Sequence, residues 1–250
     1  MKYLVGDIGN TLTKITLISS NFKIKKSYNI ITNNFSKKKI LKKFFNKNFL
    51  SQINKKMLFS SVVPCIFKKI KNELKNFDVY EIHDLKIKNL IKFKVDNYKK
   101  VGSDRIANAI GSYYIYKKDC IVIDFGTATT FDIIKKTGVY EGGVIAPGVN
   151  LSIKNLNNST AKLPLLNLKS SNRVYGKNTN DALNAGFIWG YQGLINNIIK
   201  KITLSSKTNY KVILTGGYAK FFKKYINMKL TINKNITILG IVEAYRKLLK

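Results

Sequence analysis

The chain has little of what several classes of site require. Its 250 residues include two cysteines, one histidine, three prolines and one tryptophan. Cys65 and Cys120 lie far apart with no Cys or His nearby in the sequence, which excludes a disulfide scaffold, a Cys-x-x-Cys redox site and a zinc knuckle. Because His83 is the single histidine, mechanisms that need a His pair are excluded, and a Ser-His-Asp triad could only be built on that residue.

Long hydrophobic runs are also missing. No stretch approaches the roughly 18 unbroken apolar residues of a membrane span, and the first residues lack the apolar core of a signal peptide. The composition, 45% apolar and 12% aromatic, suffices to bury a core and excludes global disorder. We therefore expect a cytoplasmic globular protein of one large or two modest domains, with no membrane partner.

Acidic residues and arginine are both scarce. Thirteen Asp and Glu stand against 45 Lys and Arg, giving a net charge of +32, yet only Arg105, Arg173 and Arg246 are arginines. Nucleic-acid readers favour arginine, whose planar fork pairs bidentately. The 42 lysines are spread along the whole chain among many asparagines and isoleucines, as A/T-rich codons would produce. We interpret the charge as compositional and do not expect a nucleic-acid partner, although a basic regulatory protein remains an alternative.

Two common phosphate-binding motifs are absent. The sequence has no Gly-x-x-x-x-Gly-Lys-Ser/Thr segment, which excludes a P-loop enzyme. No two glycines have the Gly-x-Gly spacing, which excludes both the Rossmann fingerprint and the glycine-rich loop of protein kinases.

What the sequence does contain is a repeated hairpin. A strand over residues 2–6, the segment Asp7–Thr11 and a strand over 12–18 are followed much later by a strand over 120–123, the segment Asp124–Thr130 and a strand over 131–134. Each copy has an aspartate, a glycine two residues later and a threonine soon after. The repeat predicts an α/β protein of two similar halves, over residues 1–116 and 117–250.

Hydrophobic periodicity supplies the remaining elements. It predicts helices over residues 37–48, 65–76, 105–116, 152–157, 179–202 and 240–249. It predicts strands over residues 57–63, 79–82, 142–147 and 212–214, and a loop lying over a site at residues 163–176.

The repeated segment suits phosphate binding. Glycine lets a phosphate approach main-chain N–H groups, and Thr and Asn add neutral donors. The aspartate would act through a cation, because its own charge repels phosphate. A single such turn would be an ordinary hairpin. The second copy and a third glycine turn at Thr215–Gly217 favour two turns that face each other across a cleft and clamp a polyphosphate with its metal.

Seven motifs, in this order and spacing, resemble those of the type III pantothenate kinases, also called the Bvg accessory factor family. They are Asp7–Thr11, Gly102–Arg105, Asp124–Thr130, Gly142–Gly148, Leu163–Pro164, Asn178–Thr179 and Thr215–Gly217. The family falls within the actin, sugar-kinase and Hsp70 superfamily. The resemblance implies a duplicated ribonuclease H-like, actin-like ATPase fold with a cleft between its halves.

The resemblance also implies an activity. The family transfers the γ-phosphoryl group of ATP to pantothenate, giving 4'-phosphopantothenate in the first step of coenzyme A synthesis. It works as a homodimer with Mg²⁺ and a monovalent cation, K⁺ or NH₄⁺. Another small-molecule kinase on the same fold remains an alternative, because a fold does not fix its substrate.

Carried over residue by residue, the resemblance implies Asp104 as the catalytic general base and Asp124 as the ligand of the monovalent cation. The residues implied for ATP are Asp7, Ile8, Gly9, Asn10, Thr11, Leu12, Thr13, Lys14, Thr127, Gly216 and Gly217, with Asp7 near the metal. Those implied for pantothenate are Gly102, Ser103, Asp104, Arg105 and Thr179.

Several of these residues also have purely structural interpretations. Ser103 or Asp104 could be a helix N-cap, and Arg105 could pair with a surface carboxylate. Outside the motifs, Cys65, Cys120 and Trp189 are predicted core residues, and His83 is predicted at the surface or at an edge. One departure from the family concerns a tyrosine expected seven residues before Gly102, where this chain has Val95, with Tyr98 in the place of a proline.

Overall fold

The computed structural model describes residues 2–250 as a mixed α/β protein with two sheets. The strands are β1 (Lys2–Ile8), β2 (Leu12–Ile18), β3 (Ile24–Ile31), β4 (Ile53–Ser61), β5 (Asp78–Glu81), β6 (Lys92–Phe93), β7 (Cys120–Phe125), β8 (Ala128–Ile134), β9 (Val139–Pro147), β10 (Lys211–Gly216) and β11 (Leu230–Ile232). The helices are α1 (Lys38–Phe44), α2 (Lys47–Leu50), α3 (Pro64–Glu73), α4 (Ser103–Tyr116), α5 (Val149–Asn158), α6 (Thr179–Ser206), α7 (Ala219–Phe222) and α8 (Ile236–Leu248). None of the helices within residues 2–250 is both long and apolar enough to cross a membrane.

The chain forms two compact units. The first contains the chain up to Lys117, the segment Ile134–Gly142 and the C-terminal segment Asn235–Lys250. Its sheet has the order β3-β2-β1-β4-β5, in which β1 and β2 form an antiparallel hairpin and β4 lies parallel to β1. Apolar side chains of these strands and of α1 and α3 form its core, which explains why the central strands are almost continuously apolar.

Helices α4 and α8 pack against each other in this first unit, and two glycines set their close approach. A Cβ atom on Gly240 would collide with the carbonyl oxygen of Ala107, and one on Gly111 would collide with that of Ile236. Only residues without a side chain fit at these two positions. The C-terminal helix therefore supports the helix that begins at Ser103.

The second unit contains residues Lys118–Ile133 and Gly143–Lys234. Its strands follow the order β11-β10-β7-β8-β9, with β7, β10 and β11 parallel. Helix α6 lies against this sheet, and Ile188, Ile195 and Ile199 of α6 pack among the buried strand residues. The part of β9 that belongs to the first unit pairs with β6.

Some sequence predictions of the elements are wrong. The lysine-rich helix expected over residues 37–48 is two helices, because the side chain of Asn46 accepts a hydrogen bond from the N–H of Phe49 and begins α2 as its N-cap. Strand β3 was not predicted. Asp7 and Ile8 lie within β1, and Asp124 and Phe125 within β7, so the turns are shorter than expected. Cys65 is exposed on α3 rather than in the core, whereas Cys120 is buried.

The proposed halves and the compact units are different divisions of the chain. The sequence division at residues 116 and 117 follows the repeated hairpin and remains a proposal. The compact units follow spatial contacts, and by that measure α8 belongs with the N-terminal sheet.

Candidate active site

The first candidate turn connects β1 and β2 through Gly9, Asn10 and Thr11. The N–H of Gly9 donates to the carbonyl oxygen of Leu12 at 3.1 Å and closes the hairpin. Thr32, at the end of β3, braces the turn, since its hydroxyl donates to the carbonyl oxygen of Gly9 at 2.7 Å and its N–H donates to that of Thr11 at 3.0 Å. Asn10 and Thr11 are exposed at the tip, which leaves their polar groups accessible to a ligand.

Two charged residues face each other beside this turn. Asp7 on β1 and Lys14 on β2 are directly opposite in the antiparallel register, which places their Cβ atoms about 5 Å apart. The ammonium of Lys14 donates to Oδ1 of Asn235 at 2.7 Å. Of the other residues predicted to bind ATP, Ile8 and Thr13 are fully buried and Leu12 is half exposed. All three belong to the strands of the hairpin and shape it.

The second candidate segment, Gly102–Arg105, forms the start of α4. Gly102 occupies the N-cap position, and the hydroxyl of Ser103 donates to the carbonyl oxygen of Ser61 at 3.0 Å. The N-cap interpretation of Ser103 and Asp104 is therefore wrong. Oδ1 of Asp104 accepts the N–H of Arg105 at 2.8 Å, and a Cβ atom on Gly102 would lie 2.6 Å from Oδ1 of Asp104. Glycine at position 102 thus leaves room for the Asp104 carboxylate.

Burial alters the chemistry of Asp104. Loss of solvent raises the pKa of this carboxyl above its ordinary value. The N–H of Arg105 and the positive charge of its guanidinium oppose the rise without cancelling it. A carboxylate with a raised pKa is a better base than an ordinary aspartate, which suits it to accept a proton from an alcohol.

The third candidate segment lies in the second unit, between β7 and β8. Only Gly126 and Thr127 form the turn, which is exposed. The carbonyl oxygen of Thr127 lies where a Cβ atom of Gly148 would be, so the start of α5 packs directly on the turn. This close approach explains the glycine after Pro147.

The glycine pair predicted near adenosine lies beside Asp124. Thr215 is paired with Asp124 across the parallel strands β10 and β7, and Gly216 is paired with Phe125. Gly216 has φ +82°, and a Cβ atom there would lie 2.5 Å from Oδ1 of Asp124. The N–H of Gly217 donates to the carbonyl oxygen of Phe125 at 3.0 Å. The second unit therefore brings Asp124, Gly216 and Gly217 together.

Thr179, predicted to contact the substrate, is the first residue of α6. Its helix is capped by Asn178, whose Oδ1 accepts the N–H of Asp181 at 2.9 Å. Thr179 is exposed and lines an apolar groove of about 550 Å³ between α5 and α6. Glycines on this helix are not close-packed, because a Cβ atom on Gly186 or Gly190 would meet no atom of residues 2–250 within 4 Å apart from the helix's own backbone.

Tyr98, which stands in the place of the family's proline, packs against neighbouring side chains. Its ring lies 5.1 Å from that of Phe93, and the ammonium of Lys88 lies 4.6 Å from its centre. Val95, at the position of the family tyrosine, lies beside Gly142. Tyr98 is thus part of a small aromatic and cationic cluster of its own.

Within each unit, the candidate segments contact residues that the sequence did not indicate. Asn235 holds Lys14, Ser61 holds Ser103, and Gly148 covers the turn at Thr127. Each is distant in sequence from the residue it contacts, so spacing within one motif could not reveal it. The pairing of Ile8 with Ser61 in the β1–β4 register was open to prediction only once the strand order was known.

The candidate metal residues are single carboxylates. Among residues 2–250 no group of three or more His, Cys, Asp or Glu side chains could hold a metal ion. A divalent ion in a nucleotide-dependent enzyme takes one or two protein carboxylates and completes its shell with phosphate oxygens and water. Asp7, at the turn, fits such a site.

A comparison with known families decides the identity. The sequence model of the family described as type III pantothenate kinase matches residues 3–201. The chain belongs to this family. The type III pantothenate kinase of Pelagibacter ubique is 46% identical over 244 residues, which cover 96% of this chain and 97% of that protein. The type III pantothenate kinase of a Sulfurihydrogenibium species is 35% identical and covers 95% and 97% of the two chains.

Solved structures show the fold. A Campylobacter jejuni protein described as a Baf family transcriptional activator has a TM-score of 0.65 and 24% identity, covering 98% of both chains. The activator of 2-hydroxyisocaproyl-CoA dehydratase from Clostridium difficile, solved with bound ADPNP, has a TM-score of 0.58 and 14% identity, covering 99% of this chain and 95% of that one. The expected duplicated ribonuclease H-like fold is confirmed.

As a type III pantothenate kinase, the chain catalyses ATP-dependent phosphorylation of pantothenate in coenzyme A biosynthesis. Its substrates are pantothenate and ATP, and its fold and activity require a divalent metal. The expected activity is therefore confirmed. The roles of individual residues are taken up below.

Proposed function

We propose that Asp104 is the general base of the pantothenate kinase reaction. The observation that carries this role is the partly buried carboxylate at the start of α4, whose pKa is raised by loss of solvent and whose Oδ1 accepts the N–H of Arg105 at 2.8 Å. Arg105 would bind the anionic substrate through the parallel donors of its guanidinium. Gly102 and Ser103 shape the same segment and complete the proposed pantothenate contacts with Thr179.

The proposed step transfers the γ-phosphoryl group of ATP to the hydroxyl group of pantothenate. The hydroxyl oxygen of pantothenate forms a bond to the γ-phosphorus of ATP, and the bond from that phosphorus to the β,γ-bridging oxygen breaks. ADP leaves with the bonding electrons, and the hydroxyl proton passes to a carboxylate oxygen of Asp104. Because the transition state of phosphoryl transfer is loose, orientation of the hydroxyl matters more than its early deprotonation. A partly buried carboxylate fixed by Arg105 supplies that orientation.

The nucleotide roles are proposed for both units. In the first, the exposed turn from Gly9 to Thr11 and the ammonium of Lys14 would bind phosphate oxygens. In the second, Thr127 would donate to phosphate, and Gly216 and Gly217 would let a nucleotide approach the backbone. The bound ADPNP in the Clostridium difficile activator, a protein of the same fold, supports nucleotide binding here.

We propose Mg²⁺ as the divalent ion, held by Asp7, and K⁺ or NH₄⁺ as a monovalent ion, held by Asp124. When bound, Mg²⁺ would neutralise charge on the transferring phosphoryl group. The neighbouring Lys14 neutralises part of the charge of Asp7, and one carboxylate suits an ion whose other ligands are phosphates and water. Asp124 lies against the backbone of Gly216, a setting with oxygen ligands for a large monovalent ion.

A homodimer is proposed on the groove between α5 and α6. The groove is lined almost entirely by apolar atoms, and Leu156 and Leu151 of α5 are exposed nearby. Contiguous exposed apolar surface can mark an association site. A second copy packed on the open glycines of α6 would cover them and would place Thr179 at the interface.

Nucleic acid is not proposed as a partner. Arg173 pairs with Asp181 at 2.7 Å, Arg246 pairs with Glu243 at 2.6 Å, and Arg105 lies at the candidate base. The two surface arginines are thus committed to carboxylates rather than presented as a phosphate-binding row. We also propose a cytoplasmic location, because both cysteines are free thiols and one of them is exposed.

The experiment that tests the proposed base is D104N in a coupled assay of ADP release. The amide keeps the shape of the side chain but cannot accept the proton, and loss of a general base typically costs about 10²- to 10⁴-fold in rate. We expect kcat to fall by that amount and ATP binding, measured by calorimetry, to stay within about threefold. Wild-type turnover in D104N would show that the base is another group.

A further inference from the structure

We propose that His83 is a positioning residue of the phosphoryl-transfer site, holding the segment that carries Asp104. The proposal rests on the role of Asp104 proposed above. Its observation is a hydrogen bond between Nε2 of His83 and the carbonyl oxygen of Val101, 3.0 Å apart. Because a carbonyl oxygen only accepts, Nε2 carries the hydrogen and donates it.

The backbone of His83 is held by Glu81. Oε2 of Glu81 accepts the backbone N–H of His83 at 2.7 Å, and Oδ2 of Asp84 accepts the N–H of Glu81 at 2.8 Å. These reciprocal bonds form a capping box around the short 3-10 turn Ile82–Asp84 that follows β5. The ring is therefore attached to a rigid turn at the edge of the sheet.

The same carboxylate reaches the end of the central strands. Oε1 of Glu81 accepts the N–H of Ser61 at 3.3 Å, and the carbonyl oxygen of Ser61 accepts the hydroxyl of Ser103 at 3.0 Å. Ser61 is paired with Ile8 in the register of β1 and β4. One short chain of hydrogen bonds thus runs from the turn of His83 through Glu81 and Ser61 to Ser103. It passes beside the first phosphate hairpin.

The two ends of this chain meet the same segment. His83 holds the carbonyl of Val101, three residues before Asp104, and Ser61 holds the side chain of Ser103, one residue before it. Gly102, between these two contacts, has no side chain to fix it by packing. The network therefore sets the position of the Asp104 carboxylate relative to β1, and a shift of about 1 Å in a reacting group can cost 10²-fold in rate.

Within this network Glu81 and Asp84 cap the turn, whereas the imidazole of His83 is directed at the segment that carries Asp104. A ring at the sheet edge that served only packing would not need a directed bond to a backbone carbonyl. Substrate contact is not required of His83 either, because its Nε2 is already used by Val101. The geometry thus favours an indirect role in kcat over a role in binding.

The test compares H83Q with H83N in the full-length enzyme. The side-chain amide nitrogen of glutamine can reach the position of Nε2, whereas that of asparagine reaches only that of Nδ1. We expect H83N to lower kcat by roughly tenfold to a hundredfold with the KM for ATP within about twofold, and H83Q to retain kcat within about threefold. Hydrogen exchange at residues 101–106 is expected to accelerate in H83N and not in H83Q.

Thermal unfolding is measured for each variant to check that it folds. D104N serves as the reference for loss of the proposed base. Equal losses of kcat in H83Q and H83N, or wild-type kcat in H83N, would overturn the positioning role while a deficient D104N left the proposed base intact. Wild-type turnover in D104N would instead overturn the proposed base. If H83N does not fold, E81Q, which keeps the imidazole but weakens its attachment, is expected to show the same loss of kcat, and wild-type kcat there would overturn the proposal.

Discussion

Lys14 and Asn235 are 221 residues apart in the sequence, yet the ammonium of one donates to Oδ1 of the other at 2.7 Å. Asn235 immediately precedes α8, so the last helix of the chain begins at the first phosphate hairpin. The amide acceptor holds a flexible lysine in one orientation beside Asp7. Binding of phosphate by Lys14 therefore depends on the C-terminal segment.

Replacing Asn235 by alanine is expected to raise the KM for ATP by about tenfold, since hydrogen bonds to charged groups contribute about 1.5–3 kcal/mol and 1.4 kcal/mol is tenfold. Asn235→Asp keeps an acceptor oxygen and is the control, with a KM near wild type. Steady-state kinetics at saturating pantothenate measure both. An unchanged KM in the alanine variant would show that Lys14 needs no help from Asn235.

The raised pKa of Asp104 predicts two pH dependences of opposite sense. The base must be ionised, so kcat/KM should fall as pH falls through this pKa, with a midpoint above the value of about 4 for an ordinary aspartate. D104N should lack this acid limb. A midpoint at or below that of a free aspartate would contradict the effect of burial.

The contribution of Asp104 to folding stability should change with pH in the opposite sense. A carboxyl whose pKa is raised by folding contributes stability below its unfolded pKa and loses that contribution as pH rises through the folded pKa. At pH 7.5 the ionised Asp104 therefore costs stability, and D104N should melt at a higher temperature than wild type. The difference should shrink as pH falls and be small near about pH 3, where the wild-type carboxyl is largely protonated in both states. Calorimetry at the two pH values measures it.

Gly216 and Gly217 offer a matched pair of substitutions. Gly216→Ala places a side chain at φ +82° and against Oδ1 of Asp124, and is expected to lower the free energy of unfolding by at least about 1 kcal/mol. Gly217→Ala meets only the carbonyl oxygen of Phe125 at 3.9 Å and should leave the unfolding free energy within about 0.5 kcal/mol. If Gly217 contacts a nucleotide, its variant should still raise the KM for ATP. Urea titrations separate the two effects.

Asp124→Asn is expected to reduce activation by K⁺. The substitution removes the charge that would hold the ion, so the K⁺ concentration for half-maximal activity should rise by at least about tenfold, as charged ligands set ion affinity. Rates are measured against KCl, with a bulky organic cation keeping the ionic strength constant. Asp119→Asn, just before the start of β7 and outside the motif, is the control for net charge. Equal K⁺ responses would remove Asp124 from the ion site.

The apolar groove gives a test of association. Gly190→Lys introduces a charge into the groove, and burying an unpaired charge is strongly unfavourable, so this variant should sediment as a monomer. Ser205→Lys adds the same charge at an exposed position near the C-terminal end of the same helix, outside the groove lining, and should retain the wild-type mass. Wild type is expected at twice the 28.4 kDa of one chain. A monomeric wild type would contradict the proposed dimer.

Much of the site was open to prediction because its residues are close in sequence. The alternation of β1, its turn and β2 follows directly from local hydrophobicity, and α4 follows from the helical spacing after Gly102. The break at Asn46 was missed because the apolar spacing continues across it. The cap at Asn46 outweighs that spacing in a short lysine-rich segment.

Other features depend on contacts between distant segments. No local pattern shows that His83 meets Val101, that Asn235 meets Lys14, or that Asp104 is buried enough to change its pKa. Cys65 was expected in the core, but Pro64 begins α3 and Cys65 lies on the solvent side of its first turn, whereas Ile66 is buried. Composition alone assigns a thiol to the interior, and only the tertiary structure corrects it.

The placement of α8 has a consequence for synthesis of the protein. The N-terminal sheet and α4 are made well before α8, the helix that packs against both. A nascent chain that still lacks residues 235–250 would expose the apolar faces that α8 covers, including those around Gly111. The N-terminal unit should therefore become protease-resistant only after α8 has been made, and truncation before residue 235 should yield insoluble protein.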